Sequence, residues 1–259
     1  MPYIYFDNNP CFYRISEHAR PDNPPALFIH GSGGDGTVWD RQLQDIAARC
    51  TVIVPDLPGH GKSAGPLPSS ARQYAHWVRD LAERLDLSFL FLIGHSLGGA
   101  IVQEYARAYP DMTAGIVLAA SGTRFGTSPE HLRLLEQNFL QAVKISCDRA
   151  YGPGVPPRLY QQGFDMLVGN GKETLLADIN VCACFDSSPW LGSLAAPALV
   201  VCGQDDAITP CDLSREVAAN LPGCRVLFVP GAGHMVMQEA PEAFNEAVLG
   251  FVEKYCNVR

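Results

Sequence analysis

No stretch of this 259-residue chain approaches the roughly 18–20 consecutive apolar residues that a membrane-spanning helix needs. The first residues, Met1 to Asp7, also lack the basic region and apolar core of a secretory signal. Basic residues are few: 27 acidic side chains against 19 lysines and arginines give a net charge of −8, which disfavours nucleic acid and anionic membranes as partners. We therefore expect a cytoplasmic protein without a membrane anchor.

Two other ligand-binding signatures are absent. The nine cysteines show no pairing pattern, and Cys182-x-Cys184 has no second pair to complete a zinc site, so we expect reduced thiols and no metal. Gly61-Lys62-Ser63 resembles the end of a phosphate-binding loop, but the first glycine of that motif would fall at Asp56. An NTPase is therefore excluded.

The chain does contain a regular alternation of strands and helices, which predicts one α/β domain with a mostly parallel sheet covered on both faces. A short antiparallel hairpin is predicted at the N-terminus, over 3–6 and 11–15. The remaining predicted strands are 26–30, 51–55, 89–94, 115–120, 198–203 and 225–230. The predicted helices between them are 38–49, 71–86, 97–109, 211–221 and 240–256.

The most informative motif is Gly94-His95-Ser96-Leu97-Gly98, which directly follows the apolar run Phe89–Ile93. A strand that leads into Gly-x-Ser-x-Gly and then into a helix is typical of a nucleophile elbow. The turn projects the hydroxyl of Ser96 from the sheet, and the following helix directs its positive N-terminus toward it. Ser96 is the candidate nucleophile, and the backbone N–H of Leu97 is a candidate donor to an oxyanion.

Three further segments follow predicted strands in an informative order. His30-Gly31-Ser32-Gly33-Gly34 offers backbone N–H groups for a second oxyanion donor, with Ser32 preferred and Gly33 the alternative. Gln204-Asp205-Asp206 offers a carboxylate, with Asp206 preferred over Asp205, and Asp186 is a minor rival. Gly233-His234 offers a base that can activate a serine.

This order of oxyanion loop, serine, acid and histidine resembles the α/β-hydrolase superfamily over nearly the whole chain. The segments Asp56–Ser63 and Gly203-x-x-Asp206-x-x-x-Pro210 are also similar to motifs of that superfamily. The resemblance implies the α/β-hydrolase fold and a catalytic triad of Ser96, His234 and Asp206, with no metal or organic cofactor.

The alternation of strands and helices stops between about Gly122 and Trp190. Helical periodicity predicts helices over 129–149, 158–168 and 172–185 in this stretch. The resemblance implies that an insertion here is a helical cap over the active site. We therefore expect a core of residues 1–121 and 191–259 and a cap of residues 122–190.

These features predict a serine hydrolase that cleaves a small carboxylic ester through an acyl-enzyme, with a small-molecule acyl substrate as its partner. A carbon–carbon bond hydrolase, a perhydrolase and a receptor that retains the triad remain open. The carbon–carbon bond hydrolase needs a basic group for a second carboxylate, and the sequence does not place Lys144, Arg149 or Arg158. Ser96 disfavours relatives that use an aspartate nucleophile. The oligomeric state stays open.

Overall fold

The centre of the molecule is an eight-stranded sheet in the computed structural model, which describes residues 3–16 and 23–256. The strands are β1 (Tyr3–Phe6), β2 (Asn9–Ile15), β3 (Ala26–Ile29), β4 (Val52–Pro55), β5 (Leu90–His95), β6 (Thr113–Ala119), β7 (Ala198–Gly203) and β8 (Arg225–Val229). Their order is β1-β2-β4-β3-β5-β6-β7-β8, and the strands from β4 to β8 in that order are parallel. The predicted fold class is therefore confirmed.

The antiparallel edge of the sheet is a tight hairpin. Phe6 pairs with Asn9, and the two residues between them, Asp7 and Asn8, both have positive φ, at 46° and 69°. Two-residue hairpin turns with positive φ match the twist of the strands, and aspartate and asparagine tolerate that backbone well. The hairpin joins the parallel strands through β2, which pairs with β4.

Helices cover both faces of the sheet. They are α1 (Asp40–Asp45), α2 (Ala71–Arg84), α3 (Leu97–Ala108), α4 (Pro129–Gln137), α5 (Phe139–Ala150), α6 (Pro157–Asn170), α7 (Lys172–Cys184), α8 (Cys211–Asn220), α9 (Val236–Glu239) and α10 (Pro241–Tyr255). Alternation along β3 shows the two layers: Leu27 and Ile29 pack in a core with α2, α3 and α8, whereas Ala26 and Phe28 pack with α10. No helix in the described ranges is long and apolar enough to cross a membrane.

The stretch between β6 and β7 contains four helices, α4 to α7, rather than the three that helical periodicity predicts. The predicted helix over 129–149 is wrong, because Asn138 interrupts it. The Asn138 N–H donates to the carbonyl of Leu134 and closes α4, while its side chain accepts from the N–H of Gln141 and caps α5. The division into core and cap at 122–190 stays a prediction.

Two other predicted helices also differ from the structure at their N-terminal ends. The helix predicted over 38–49 is a 3-10 turn at Gly36–Trp39 followed by the short α1, and Asp35 caps the turn. The helix predicted over 240–256 is preceded by the separate α9 and begins at Pro241. Proline suits the first position of a helix, since its missing N–H would have no partner there.

Candidate active site

Ser96 lies in a strained turn between β5 and α3. Its backbone has φ 54° and ψ −117°, which is unusual for a residue with a side chain. The Ser96 N–H donates to the carbonyl of Ala119 at 2.9 Å, so the end of β6 holds the turn in place. Such strain persists where the surroundings determine it, and it is common at functional sites.

The glycines on either side of Ser96 permit this close packing. A Cβ on Gly94 would overlap the backbone of Gly98, and a Cβ on Gly98 would overlap the carbonyl oxygen of Ile29. Backbone atoms cannot move aside as a flexible side chain can. The glycines of the predicted elbow are therefore required by the approach of α3 to β5 and β3.

An imidazole and a carboxylate form a buried pair near the elbow. His234 Nδ1 lies 2.9 Å from Asp206 Oδ2, which also accepts from the hydroxyl of Thr209 at 2.7 Å. The other oxygen, Oδ1, accepts from the N–H groups of Ile208 and Thr209, each at 2.8 Å. Burial alone would raise the pKa of Asp206, but the positive charge of protonated His234 and these hydrogen bonds outweigh burial and lower it.

The two rival carboxylates lie elsewhere. Asp205 is exposed, and its N–H donates to the carbonyl of Ala232 at 2.9 Å. Asp186 is also exposed, and its backbone bridges to Arg124 at the base of the insertion. Asp206 is thus the carboxylate of these three that contacts His234.

His95, next to the nucleophile candidate, supports the loop of His234. Its Nε2 donates to the carbonyl of His234 at 3.0 Å, and the two rings lie 4.6 Å apart. Burial, and then the charge of His234, lower the pKa of His95 to about 3. His95 is therefore neutral at physiological pH and serves here as a packing and hydrogen-bonding group.

The loop after β3 is held by hydrogen bonds to its backbone. The N–H of Leu57 donates to His30 Nε2 at 3.0 Å, so Nδ1 carries the ring proton and donates to the carbonyl of Gly31 at 2.9 Å. The N–H of Gly34 donates to the same carbonyl at 3.1 Å. Because a trans peptide is planar, the N–H of Ser32 points away from that carbonyl.

The two candidate donors from this loop differ in their surroundings. The Gly33 N–H donates to Asp178 Oδ2 of α7 at 2.8 Å, so it is already engaged. Ser32 lines the cavity that Ser96 and His234 also line. The third candidate, Leu97, is the first residue of α3 and has an N–H without a partner inside its own helix.

A cavity of about 200 Å³ lies over these groups. All four helices α4 to α7 contribute to its lining. Their apolar contributions include Leu132, Met166, Leu167, Leu175 and Ile179. Phe125 and Met235 line the cavity as well, whereas Trp39 is buried in the core against Phe28.

The polar groups that the helical insertion brings to the cavity include His131 of α4 and Ser146 and Arg149 of α5. His131 Nε2 lies 3.0 Å from the hydroxyl of Ser146, and Arg149, which donates to the carbonyl of Ala207 at 2.6 Å, is also in the lining. Of the residues that the structure describes, no aspartate, glutamate or lysine lines the cavity. Lys144 instead pairs with Asp148 at 2.6 Å on the surface of α5. Arg149 is therefore the permanent charge of the cavity wall.

Sequence reasoning missed several of these residues. Thr209 falls inside the segment from Gly203 to Pro210, so its place beside the acid could have been foreseen. Asp178 lies between the apolar residues Ala177 and Ile179 in the middle of α7, which is a signal for a buried polar partner. Arg149 carried no signal that separated it from Lys144.

Comparison with known proteins gives the same assignment of fold. A sequence model described as "Alpha/beta hydrolase family" matches residues 26–247. The chain is 28% identical to a putative carbamate hydrolase RutD of Azorhizobium caulinodans, over 97% of this chain and 98% of that protein. It is 27% identical to a 2-hydroxy-6-oxo-6-phenylhexa-2,4-dienoate hydrolase of Burkholderia cepacia, over 93% and 91%.

The solved structures include a thermophilic esterase from Thermogutta terrifontis. It superposes with a TM-score of 0.87 at 26% identity, covering 99% of this chain and 98% of that one. The strained serine between β5 and α3, the buried imidazole–carboxylate pair and the match over most of the chain agree with one another. The protein is therefore a hydrolase that belongs to the alpha/beta hydrolase family.

Proposed function

We propose that the protein is a serine hydrolase that cleaves small carboxylic esters through an acyl-enzyme intermediate. The observation that carries the proposal is the hydrogen bond of His234 Nδ1 to Asp206, beside a strained serine that faces the same cavity. A proton on Nδ1 leaves the lone pair of Nε2 free to accept the proton of Ser96. A neutral serine hydroxyl is a weak nucleophile until a base takes that proton.

The reaction then follows from the roles of these groups. The oxygen of Ser96 attacks the acyl carbon while His234 takes its proton, and Asp206 stabilises the imidazolium that forms. The N–H groups of Leu97 and Ser32 donate to the oxyanion. His234 returns the proton to the leaving alcohol, and it then activates water to release the acid. No step needs a metal or organic cofactor.

The apolar wall over Ser96 supports a small acyl substrate. In this proposal α4 to α7 act as a cap that excludes water and contacts the acyl chain. A volume of about 200 Å³ favours a short to medium chain. The similarity to an esterase and to a putative carbamate hydrolase supports attack at an acyl carbon.

The test is the loss of turnover and of covalent labelling in Ser96→Ala. Hydrolysis of a nitrophenyl ester should fall by at least about a thousandfold. A fluorophosphonate should label Ser96 in the native protein, and the exposed Ser69→Ala variant should react normally. Unchanged activity in Ser96→Ala, or labelling at another serine, would refute the proposal. Many turnovers per molecule would also separate an enzyme from a receptor that retains the triad.

A carbon–carbon bond hydrolase is the second candidate, because Arg149 lines the cavity without a carboxylate partner in the described ranges. Such an enzyme acts on a diketone that bears a carboxylate, and the guanidinium could hold that carboxylate. Similarity to the Burkholderia cepacia hydrolase is consistent with this candidate.

Charged and neutral substrates distinguish the two candidates. Arg149→Gln should reduce kcat/KM for a carboxylate-bearing diketone by about 10- to 100-fold if that is the substrate, since a charged hydrogen bond is lost. It should leave a neutral ester almost unaffected. Lys144→Gln is the matched control, because it removes a cation from the same helix but not from the cavity. Absence of any diketone cleavage would exclude the second candidate.

A further inference from the structure

A buried carboxylate from the helical insertion contacts the oxyanion loop. Asp178 lies on α7 and is fully buried. Its Oδ2 accepts from the Gly33 N–H and lies 2.8 Å from His60 Nε2, while its Oδ1 accepts from the hydroxyl of Tyr74 at 2.8 Å. One side chain of the insertion therefore joins three separate segments of the sheet-bearing part of the chain.

The partner of Asp178 is an imidazole with acceptors on both sides. His60 Nδ1 lies 3.0 Å from the carbonyl of Pro58, which can only accept, so Nδ1 carries a proton. Burial alone would lower the pKa of His60, but the hydrogen bond and negative charge of Asp178 outweigh burial and raise it. His60 and Asp178 therefore share a proton in the hydrogen bond between Nε2 of the imidazole and Oδ2 of the carboxylate.

A second side chain of the insertion contacts the same loop. Asn170, the last residue of α6, donates from Nδ2 to the carbonyls of Gly33 and Gly34, both at 2.9 Å. Its Oδ1 accepts from the N–H of Gly61 at 2.8 Å. Gly33 has φ +62°, and a Cβ there would approach Leu167 and Leu175 to 2.9 Å. Both polar groups of the Gly33 backbone are thus bound by the insertion.

A buried ion pair seldom stabilises a fold more than apolar residues of similar size would. Stability alone therefore gives little reason for a carboxylate at position 178. The orientation of the loop backbone gives a better reason for this carboxylate. Asp178 accepts from the Gly33 N–H, and this hydrogen bond fixes the orientation of the peptide on the C-terminal side of Ser32. The bonds to the Gly31 carbonyl fix the peptide on its N-terminal side.

We propose that Asp178 is a positioning residue that holds the oxyanion loop in the shape in which the Ser32 N–H faces the cavity. The oxyanion hole is then complete only when α7 is seated on the loop. This inference rests on the proposed hydrolysis at Ser96. It assigns Asp178 no contact with the substrate, so its effect is on transition-state stabilisation rather than on substrate binding.

The variants separate charge, hydrogen bonding and general loosening of the insertion. Asp178→Leu keeps the approximate size and removes the acceptor. Asp178→Asn keeps an acceptor for the Gly33 N–H and removes the charge, so it covers the case in which the leucine variant does not fold. Val143→Ala is the matched control, because Val143 is buried among α4 to α7 and does not line the cavity.

We expect Asp178→Leu to lower kcat by about 100-fold, the effect of one lost oxyanion donor, with KM within about threefold of the native value. The affinity for a trifluoromethyl ketone, which forms a tetrahedral oxyanion on serine, should fall by the same factor as kcat/KM. Asp178→Asn should lose about tenfold or less, since its amide oxygen can still accept from Gly33. Val143→Ala should keep kcat within about twofold despite a lowered Tm.

A loss of kcat in Asp178→Leu no larger than in Val143→Ala would overturn the inference, as would a change confined to KM. Hydrogen exchange at the Gly33 amide gives a readout that needs no activity. Exchange should be slow in the native protein and fast in Asp178→Leu, and equal rates would also refute the inference. If native protein shows slow exchange but no hydrolysis, the proposed function fails and the contact itself stands.

Discussion

Replacing Asp206 by asparagine tests the acid–base pair most directly, because the surroundings of the carboxylate determine how an amide would sit. Oδ1 accepts from two backbone N–H groups, at Ile208 and Thr209. An amide placed there must turn its oxygen toward these two donors, since the reverse would aim its NH2 at them. The NH2 group of the substituted side chain would therefore face His234 Nδ1.

An NH2 donor at that position reverses the tautomer of the imidazole. Nδ1 would have to accept, so the proton would move to Nε2, which could then no longer take the proton of Ser96. We expect kcat/KM for a nitrophenyl ester to fall by about 10³- to 10⁴-fold in Asp206→Asn. At 1.36 kcal/mol per factor of ten, this is about 4–5.5 kcal/mol of barrier.

Asp205→Asn is the matched control, because Asp205 is the adjacent residue and its side chain is exposed. It should change kcat/KM by less than about twofold. The lowered pKa of Asp206 means that its carboxylate stabilises the native protein above the ordinary carboxyl pKa, and that this stability is lost as pH falls through the lowered value. In Asp206→Asn, the free energy of unfolding should therefore depend less on pH under acidic conditions. A larger kinetic loss in Asp205→Asn would show that the wrong residue is assigned as the acid.

Three further outcomes are expected. The rate of ester hydrolysis should rise with pH, because a histidine base accepts the proton of Ser96 only in its neutral form. His95 should not contribute, since burial and the charge of His234 hold its pKa at about 3. A rate that does not depend on pH would contradict this. Across nitrophenyl esters from acetate to palmitate, kcat/KM should rise by up to about fourfold per methylene and then fall once the cavity is full. Met166→Ala should move the optimum to longer chains, because Met166 lines the cavity. A preference for palmitate would contradict this prediction. Gly98→Ala should lower the free energy of unfolding, measured in urea, by about 3 kcal/mol or prevent folding, because the added Cβ would overlap the Ile29 carbonyl. An unchanged free energy of unfolding would contradict this prediction.

The strands and the elbow could be predicted because their signals are local. The run Phe89–Ile93 is apolar throughout, as a strand buried on both faces must be, and Gly94 and Gly98 mark the close approach of the next helix. The roles of Ser96, His234 and Asp206 stay predictions, although the geometry of the last two residues suits them. The hydrogen bonds that Asp206 accepts from Ile208 and Thr209 are local as well, since these residues lie two and three positions later.

Contacts that form only in the folded chain explain part of what the sequence did not predict, and a local helix cap explains another part. Asp178 and Gly33 are 145 residues apart, and no pattern along the chain connects them. Lys144 and Arg149 both lie on α5, yet one pairs with Asp148 on the surface and the other lines the cavity. Asn138 broke a predicted helix because its side chain caps the next one, whereas the apolar periodicity continued across it.

The distribution of charge in the insertion suggests where substrate choice resides. Asp178 is buried, pairs with His60 and accepts from the N–H of Gly33, so it is engaged within the fold. Arg149 contacts a backbone carbonyl but no carboxylate among the described residues, and it lines the cavity, so its charge remains available to a ligand. Proteins named as a thermophilic esterase, a putative carbamate hydrolase and a 2-hydroxy-6-oxo-6-phenylhexa-2,4-dienoate hydrolase are all similar to this chain. We propose that the cavity wall from α4 to α7, rather than the elbow and the buried pair, determines which substrate this protein accepts.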